Sequence, residues 1–417
     1  MVAYLPRVVD AELEARLAAA GAVVIEGPKA CGKTETARRL TASAVLLDID
    51  ENARRATAVD PSLVLEGPTP RLVDEWQIEP GIWNHVRRAV DQRGAAGQFI
   101  LTGSSVPTDD MARHTGAGRF SFLRMRPMTL FETGHSNGAI SLAAVLAGEP
   151  PRSDDPGLSV RDLAERITVG GWPGQHGRRL DNAARAARDY LEQIRQVDVS
   201  RVAGSRRDPA RIDRLLRSLA RNTSTGVALT VLAADAGGGD GPLDRHTVAE
   251  YLNILERLMI IEDQPAWAPQ LRSRAQLRRS PKRHLVDPSL AAAALSAGPE
   301  RLLQDLNLLG LLFESLVIRD LRVLAQPLDG QVWHYRDNYG VEADAIVQLA
   351  DGRWAAFEIK LGAGLVDEGA ESLLRFRDAV DRRRSGEPAR LGVTSGTGFG
   401  YMRPDGVAVI PVGALAP

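Results

Sequence analysis

The chain has 417 residues, a formal net charge of −1, 44% hydrophobic and 25% charged residues. That length exceeds one ordinary core and predicts about two to four domains, and the near-neutral charge excludes a whole-protein polyelectrolyte, so any nucleic-acid contact must come from a local patch. The single cysteine, Cys31, excludes an intrachain disulfide, and the seven histidines are scattered without zinc-ligand spacing.

No apolar run reaches the roughly 18 residues needed to span a bilayer, and the opening "MVAYLPRVVDAELEARL" carries acids where a signal peptide is apolar. A cytoplasmic protein without a membrane partner is expected. Of the 52 basic residues only four are lysines, Lys29, Lys33, Lys282 and Lys360. A GC-rich coding bias explains the Arg background without choosing the exceptions. Arg is a planar fork and Lys a compact point charge, so a lysine kept in such a chain marks a position to inspect.

In chain order, "AVVIEGPKACGKTETARRL" reads as strand, Gly-bounded loop and helix. Residues Gly27, Pro28, Lys29, Ala30, Cys31, Gly32, Lys33 and Thr34 fill G-x-x-x-x-G-K-[ST], the phosphate-loop pattern. Backbone N–H groups of such a loop surround phosphates at a helix N-terminus, with Lys33 on the β and γ phosphates and the Thr34 hydroxyl on Mg²⁺. ATP and Mg²⁺ are the expected ligands. Cys31 inside the loop also reads simply as a small space-filling residue. "TPRLVDEWQ" offers a short strand ending in Asp74, to assist Mg²⁺, and Glu75, to orient or deprotonate the attacking water. Two solvated acids at a turn are the competing reading. "QFILTGSS" is the next strand, and Ser104 at its end is a candidate sensor of the γ phosphate, although Gly and Ser also simply mark turns.

The stretches "YLPRVVDAELEARLAAAGAVVIEGPKACGKTETA", "VDEWQ", "FILTGSS" and "GRFSFLRMRPMTLFE", with "GGWPG" at 170–174 and "FEIK" near the C-terminus, resemble the prokaryotic AAA-type ATPases that carry the C-terminal domain of unknown function 4143. The resemblance covers essentially the whole chain. It implies that Arg119, in the "GR" before the last core strand, is a candidate arginine finger, acting in cis or in trans; an ordinary surface arginine is the alternative.

Residues 133–158 end in a Pro/Asp/Gly cluster that reads as a domain boundary. Helical spacing follows, and from 209 the order is helix, helix, turn, helix, strand, with Val248, Tyr251, Leu252, Leu255 and Leu258 forming one apolar face. That is a winged-helix pattern, which binds DNA in some proteins and only packs in others. The run "QLRSRAQLRRSPKRHLV" at 270–286 holds five Arg and Lys282 without an acid, a phosphate-binding edge or a solvated loop.

The helix "DLNLLGLLFESLVIRDLRVLA" then carries Glu314 among apolar residues. Asp344 follows in one strand, and Glu358 and Lys360 share a face of the next, because only residues two apart do so. This set resembles the PD-(D/E)xK nuclease core, which implies Mg²⁺ on Asp344 and Glu358, or Mn²⁺ if the site is imperfect. It also implies Lys360 at the attacking water and Glu314 as a further ligand. A Glu-x-Lys charge pair on a sheet face is the bland alternative.

The expected fold class is α/β: an N-terminal P-loop AAA-type ATPase domain (1–135), a linker and helical segment (136–205), a winged-helix-like domain (206–290) and a C-terminal restriction-endonuclease-like, PD-(D/E)xK α/β domain (291–417). The expected function is an ATP-hydrolysing enzyme coupled to a nuclease-like domain acting on DNA. The alternative is a nucleotide-dependent switch or scaffold whose C-terminal domain holds a protein partner. Self-association into a homo-oligomer is a further expectation.

Overall fold

The computed structural model describes residues 4–104, 115–203, 208–269 and 280–417. Its first sheet contains β1 (Ala22–Glu26), β2 (Ser43–Leu46), β3 (Arg71–Asp74), β4 (Phe99–Gly103) and β5 (Phe120–Arg124), all parallel, in the order β2-β3-β4-β1-β5. Strands covered on both faces read as continuous apolar runs. Accordingly Val24 and Leu101 face one core cluster while Val23, Ile25 and Ile100 face the other. Because β4 is inserted between β1 and β3, the C-terminal ends of three strands bring the phosphate loop, Asp74 and Thr102 side by side. Gly27 is dictated by close approach, since a Cβ there would lie 2.2 Å from the Met125 carbonyl oxygen.

The stretch 133–158, expected to end in a domain boundary, makes contacts with the C-terminal domain. There β6 (Ile140–Ser141) pairs with the final strand Leu415–Ala416, Ser153 pairs with Gly400, and the Ser136 hydroxyl donates to the Leu415 carbonyl at 2.6 Å. Pro, Asp and Gly do signal irregular backbone, but irregular backbone can be a bound arm as readily as a boundary. Helices Val160–Val169 and Leu180–Gln193 follow, the second running into a π turn at Ile194–Asp198. Helices Pro209–Arg221, Leu229–Gly237 and Arg245–Arg257 come next. The chain then forms antiparallel bridges, Ile261 with Leu285 and Gln264 with Lys282, while Thr225 bridges Arg283.

The second sheet holds β7 (Gln331–Arg336), β8 (Glu342–Gln348), β9 (Trp354–Lys360), β10 (Arg390–Ser395), β11 (Tyr401–Met402) and β12 (Ala408–Pro411), in the order β11-β12-β10-β9-β8-β7. Helix Val366–Ala379 crosses over between β9 and parallel β10, packing Ala370, Leu373 and Phe376 on one face of the sheet. Helix Leu306–Ala325 covers the other face and is buried from Leu312 to its end.

That helix also carries a buried polar joint. Arg319 Nη1 donates to Asp287 Oδ2 at 2.8 Å, while its Nε and Nη2 donate to Asp320 Oδ1 at 2.8 and 2.6 Å. Asp287 Oδ2 also accepts from the Gly171 amide at 3.0 Å, and Asp320 Oδ2 from the Leu130 amide at 3.0 Å. One guanidinium thus ties the exit of the first sheet, the "GGWPG" turn and the C-terminal helix. A Cβ on Gly171 would lie 2.1 Å from the Met128 carbonyl oxygen, which is why this turn needs glycine. We predict that Arg319→Met, leaving two buried carboxylates unpaired, lowers unfolding free energy by about 3–5 kcal/mol in chemical denaturation. A variant as stable as the parent would show that the joint is not structural.

Candidate nucleotide pocket and carboxylate cleft

The phosphate loop opens on a pocket of about 940 Å³. Lys33 Nζ donates to the carbonyl oxygens of Gly27 and Pro28, both at 2.9 Å, so its ammonium lies along the loop it would serve. Thr34 Oγ1 donates to Asp74 Oδ1 at 3.0 Å, and Thr102 Oγ1 donates to the same oxygen. Asp74 is buried between these hydroxyls at the end of β3. A hydroxyl and a carboxylate in contact beside a phosphate loop are hard oxygen donors, so this set fits Mg²⁺.

Glu75 is held at φ 52°, in the left-handed region, where a non-glycine residue costs energy and often marks a working site. Its carboxylate accepts from the Gln77 side-chain amide and from Ser104 Oγ at 3.2 Å. Gln77 had no signal of its own in the sequence. Its Oε1 is buried with no hydrogen-bond partner among the described residues, and the residue lines the pocket.

The opposite wall comes from the middle of the chain: Pro173, Asp198, Val202, Arg257 and Leu258. Lys29, read as part of the phosphate cradle, sends its ammonium to Asp198 Oδ1 at 2.5 Å, and Asp198 belongs to the π turn. Such turns recur at functional sites. Neither Asp198 nor Arg257 carries a local motif, so only the fold reveals them. Arg119 is not brought to this pocket. It precedes β5, its carbonyl accepts from the Ala22 amide at the start of β1, and its Nε donates to Asp91 at 2.8 Å. It therefore sits at the far end of the sheet from its own chain's phosphate loop.

In the C-terminal domain, Glu314, Asp344, Glu358 and Lys360 line one cleft of about 720 Å³. Asp344 Oδ2 accepts from the Ile359 amide at 3.0 Å, Glu358 Oε1 from Ser372 Oγ at 3.1 Å, and Lys360 Nζ lies 3.6 Å from Glu358 Oε2 and 3.2 Å from Glu368 Oε1. The unexpected member is Lys282. Read as part of a basic phosphate-binding edge, it is buried instead, with Nζ 2.7 Å from Glu314 Oε1 and 2.9 Å from Asp344 Oδ1. Its neighbour Arg283 is likewise committed, to Asp263. Arg278 and Arg279 lie outside the described residues.

The carboxylates are of the right chemistry for a divalent cation, but the set as folded does not fit one. An ion about 2.1 Å from both Glu314 and Asp344 would overlap the ammonium that already bridges them. Among the described residues, no group of three or more His, Cys, Asp or Glu side chains is placed to hold a metal ion.

Burial and the nearby Asp344 charge push Glu314 up to about 8 and Glu358 up to about 9. Burial alone would raise Asp344, yet the Lys282 ammonium outweighs it and holds that carboxyl below its ordinary value. Burial would lower Lys282, but Asp344 and Glu314 outweigh it and hold the ammonium above its usual range. Of the three carboxyls, Asp344 is thus the one whose charged form the cleft favours, opposite Lys282.

Family comparisons match three stretches of the chain. Residues 19–134 match the family described as AAA domain, 160–301 the domain of unknown function (DUF8612), and 309–415 the domain of unknown function (DUF4143). The chain therefore carries an AAA-type ATPase domain followed by two domains whose families have no described function. The middle family spans both the helical segment and the module read as winged-helix-like. No curated relative matches the chain. A solved structure with some likeness is the Walker-type ATPase PABY2304 of Pyrococcus abyssi, 13% identical, covering 69% of this chain and 94% of that one at a TM-score of 0.38. A likeness that low carries no weight here. No described helix is long and apolar enough to cross a membrane.

The raised Glu358 carboxyl gives a signed pH dependence. Its stabilising contribution is complete below the unfolded value near 4.5 and is lost as pH rises toward about 9. Glu358→Gln should therefore gain on the parent through that window, by up to about 1.4 kcal/mol per pH unit in urea unfolding series. A parent–variant difference that does not change with pH would remove Glu358 as the titrating group.

Proposed function

We propose that this protein is an ATP-driven switch in which the AAA-type domain hydrolyses ATP and the middle of the chain responds to nucleotide. One observation carries the reading: the pocket beside the phosphate loop is walled by Asp198, Arg257 and Leu258 of the middle segment as well as by the loop itself. A nucleotide that spanned the pocket would touch both parts. Lys33 and the loop amides would bind the phosphates, and Thr34 and Asp74 would hold Mg²⁺, which neutralises phosphate charge when bound. Glu75, restrained by Gln77 and Ser104, would orient the attacking water and accept its proton. Arg119, remote from its own pocket, would act as a finger only in a neighbouring copy.

The helix order and the bridges around 225, 261–264 and 282–285 favour a winged-helix reading of the middle module. Lys282 and Arg283 are spent on internal ion pairs, which favours a packing role for that edge over DNA contact. The convergence of Asp344, Glu358 and Lys360 favours a PD-(D/E)xK-like fold for the C-terminal domain. The Lys282 bridge favours, for the arrangement described, a domain that does not cleave.

Lys33→Ala should reduce ATP turnover by about 10²–10³-fold, as removal of a preorganised donor does, with an unchanged melt. Glu75→Gln should keep ATP binding and slow hydrolysis by about 10²–10⁴-fold. Steady-state ATPase assays and equilibrium binding of a fluorescent ATP analogue read the two separately. Parent-like hydrolysis by Lys33→Ala would refute the ATPase reading, and by Glu75→Gln would move the base elsewhere.

A further inference from the structure

We propose that the carboxylate cleft of the C-terminal domain is a cation site whose resident cation is the Lys282 ammonium, delivered from the middle segment, so that a divalent metal enters only when that ammonium is withdrawn. The occupancy of the cleft goes beyond the ATPase reading, and only the route of withdrawal rests on it.

The occupant and its hosts come from different parts of the chain. Glu314 lies on the helix Leu306–Ala325 and Asp344 on β8, whereas Lys282 precedes both and sits opposite Gln264 in the bridged stretch after helix Arg245–Arg257. The stretch is itself fastened to the sheet. Gln264 Nε2 donates to the Asp344 carbonyl at 2.8 Å and the Trp333 carbonyl at 2.9 Å, and the backbones of Gln264 and Lys282 exchange hydrogen bonds at 2.9 and 3.0 Å. The ammonium is therefore held in place by backbone pairing as well as by charge.

Residue type supports a point-charge role. In a chain that uses Arg almost everywhere, an ammonium with three donors bridges two single oxygens, a task that a planar fork does not perform in the same space. The hosts are hard-oxygen donors on an open cleft, and Glu358 stands beside them ready to join a different cation. Removing Lys282 would leave buried carboxylates without a counter-ion, which a divalent ion could replace.

A route to withdrawal is also visible. Arg257 and Leu258, at the end of the preceding helix, line the nucleotide pocket, and Gln264 is only a few residues further on. A shift of that helix end would be transmitted along a short covalent path to the stretch that holds Lys282.

Mn²⁺ binding to the full chain without nucleotide, followed by electron paramagnetic resonance at pH 8, tests the proposal. The chains compared are the parent, Asp344→Asn, Lys282→Met, and Lys282→Met combined with Asp344→Asn. The expected result is that Asp344→Asn leaves parent binding unchanged, that Lys282→Met gains one Mn²⁺ per chain, and that the double variant loses it. Any Mn²⁺ site at the phosphate loop is common to all four and cancels. Parent binding that Asp344→Asn abolishes would overturn the proposal, as would a folded Lys282→Met chain that gains no ion. If Lys282→Met does not fold alone, Mn²⁺ added on refolding should restore a cooperative melt, and failure to restore it also overturns the proposal. ATP turnover is read by none of these arms.

Discussion

A buried guanidinium has to be paired, and Arg319 meets that demand by drawing Asp287 and Asp320 together. Each partner uses its second capacity on a backbone amide, Gly171 or Leu130, from a different part of the molecule. The ATPase sheet therefore cannot tilt freely against the C-terminal helix without unpairing a buried charge. The constraint explains how a chain of three parts, joined partly by an arm that returns to the last strand, presents two sites in fixed relation.

Charge placement sorts those sites by chemistry. At the phosphate loop the polar groups are small and border an open pocket: hydroxyls on Asp74, an amide on Glu75, an ammonium resting on loop carbonyls. In the cleft they are buried and mutually satisfied, so their arrangement resists change. The first suits ligand exchange and the second suits a latch. Burial makes the same ion pair costly to form and costlier to break on one side only, which is why Lys282 is a better lock than a surface lysine could be.

The legibility of the chain follows the range of the interactions. The phosphate-loop pattern is legible because it lies in eight consecutive residues whose spacing is chemically fixed. The β9 pair was readable for the same reason, since strand geometry alone puts Glu358 and Lys360 on one face. Asp198, Arg257 and Gln77 were not readable, because nothing local separates a pocket-lining Asp, Arg or Gln from a solvated one. Lys282 was misread because a basic run looks solvated in one dimension, and its burial depends on carboxylates 32 and 62 residues away. The contacts of the stretch 133–158 are not legible, because composition reports backbone irregularity and not what that backbone is bound to.

The four lysines close the comparison of sequence and structure. Lys33 lies on the phosphate loop, Lys29 reaches from the same loop to the π turn, Lys282 bridges Glu314 and Asp344, and Lys360 stands between Glu358 and Glu368. Each makes contacts that ask for a compact, rotatable ammonium and none asks for a bidentate fork. Two belong to the nucleotide pocket and two to the cleft. The helix ending at Arg257 and the bridged stretch after it run from one pair to the other, so the middle segment joins the nucleotide pocket to the sheet that carries Lys360.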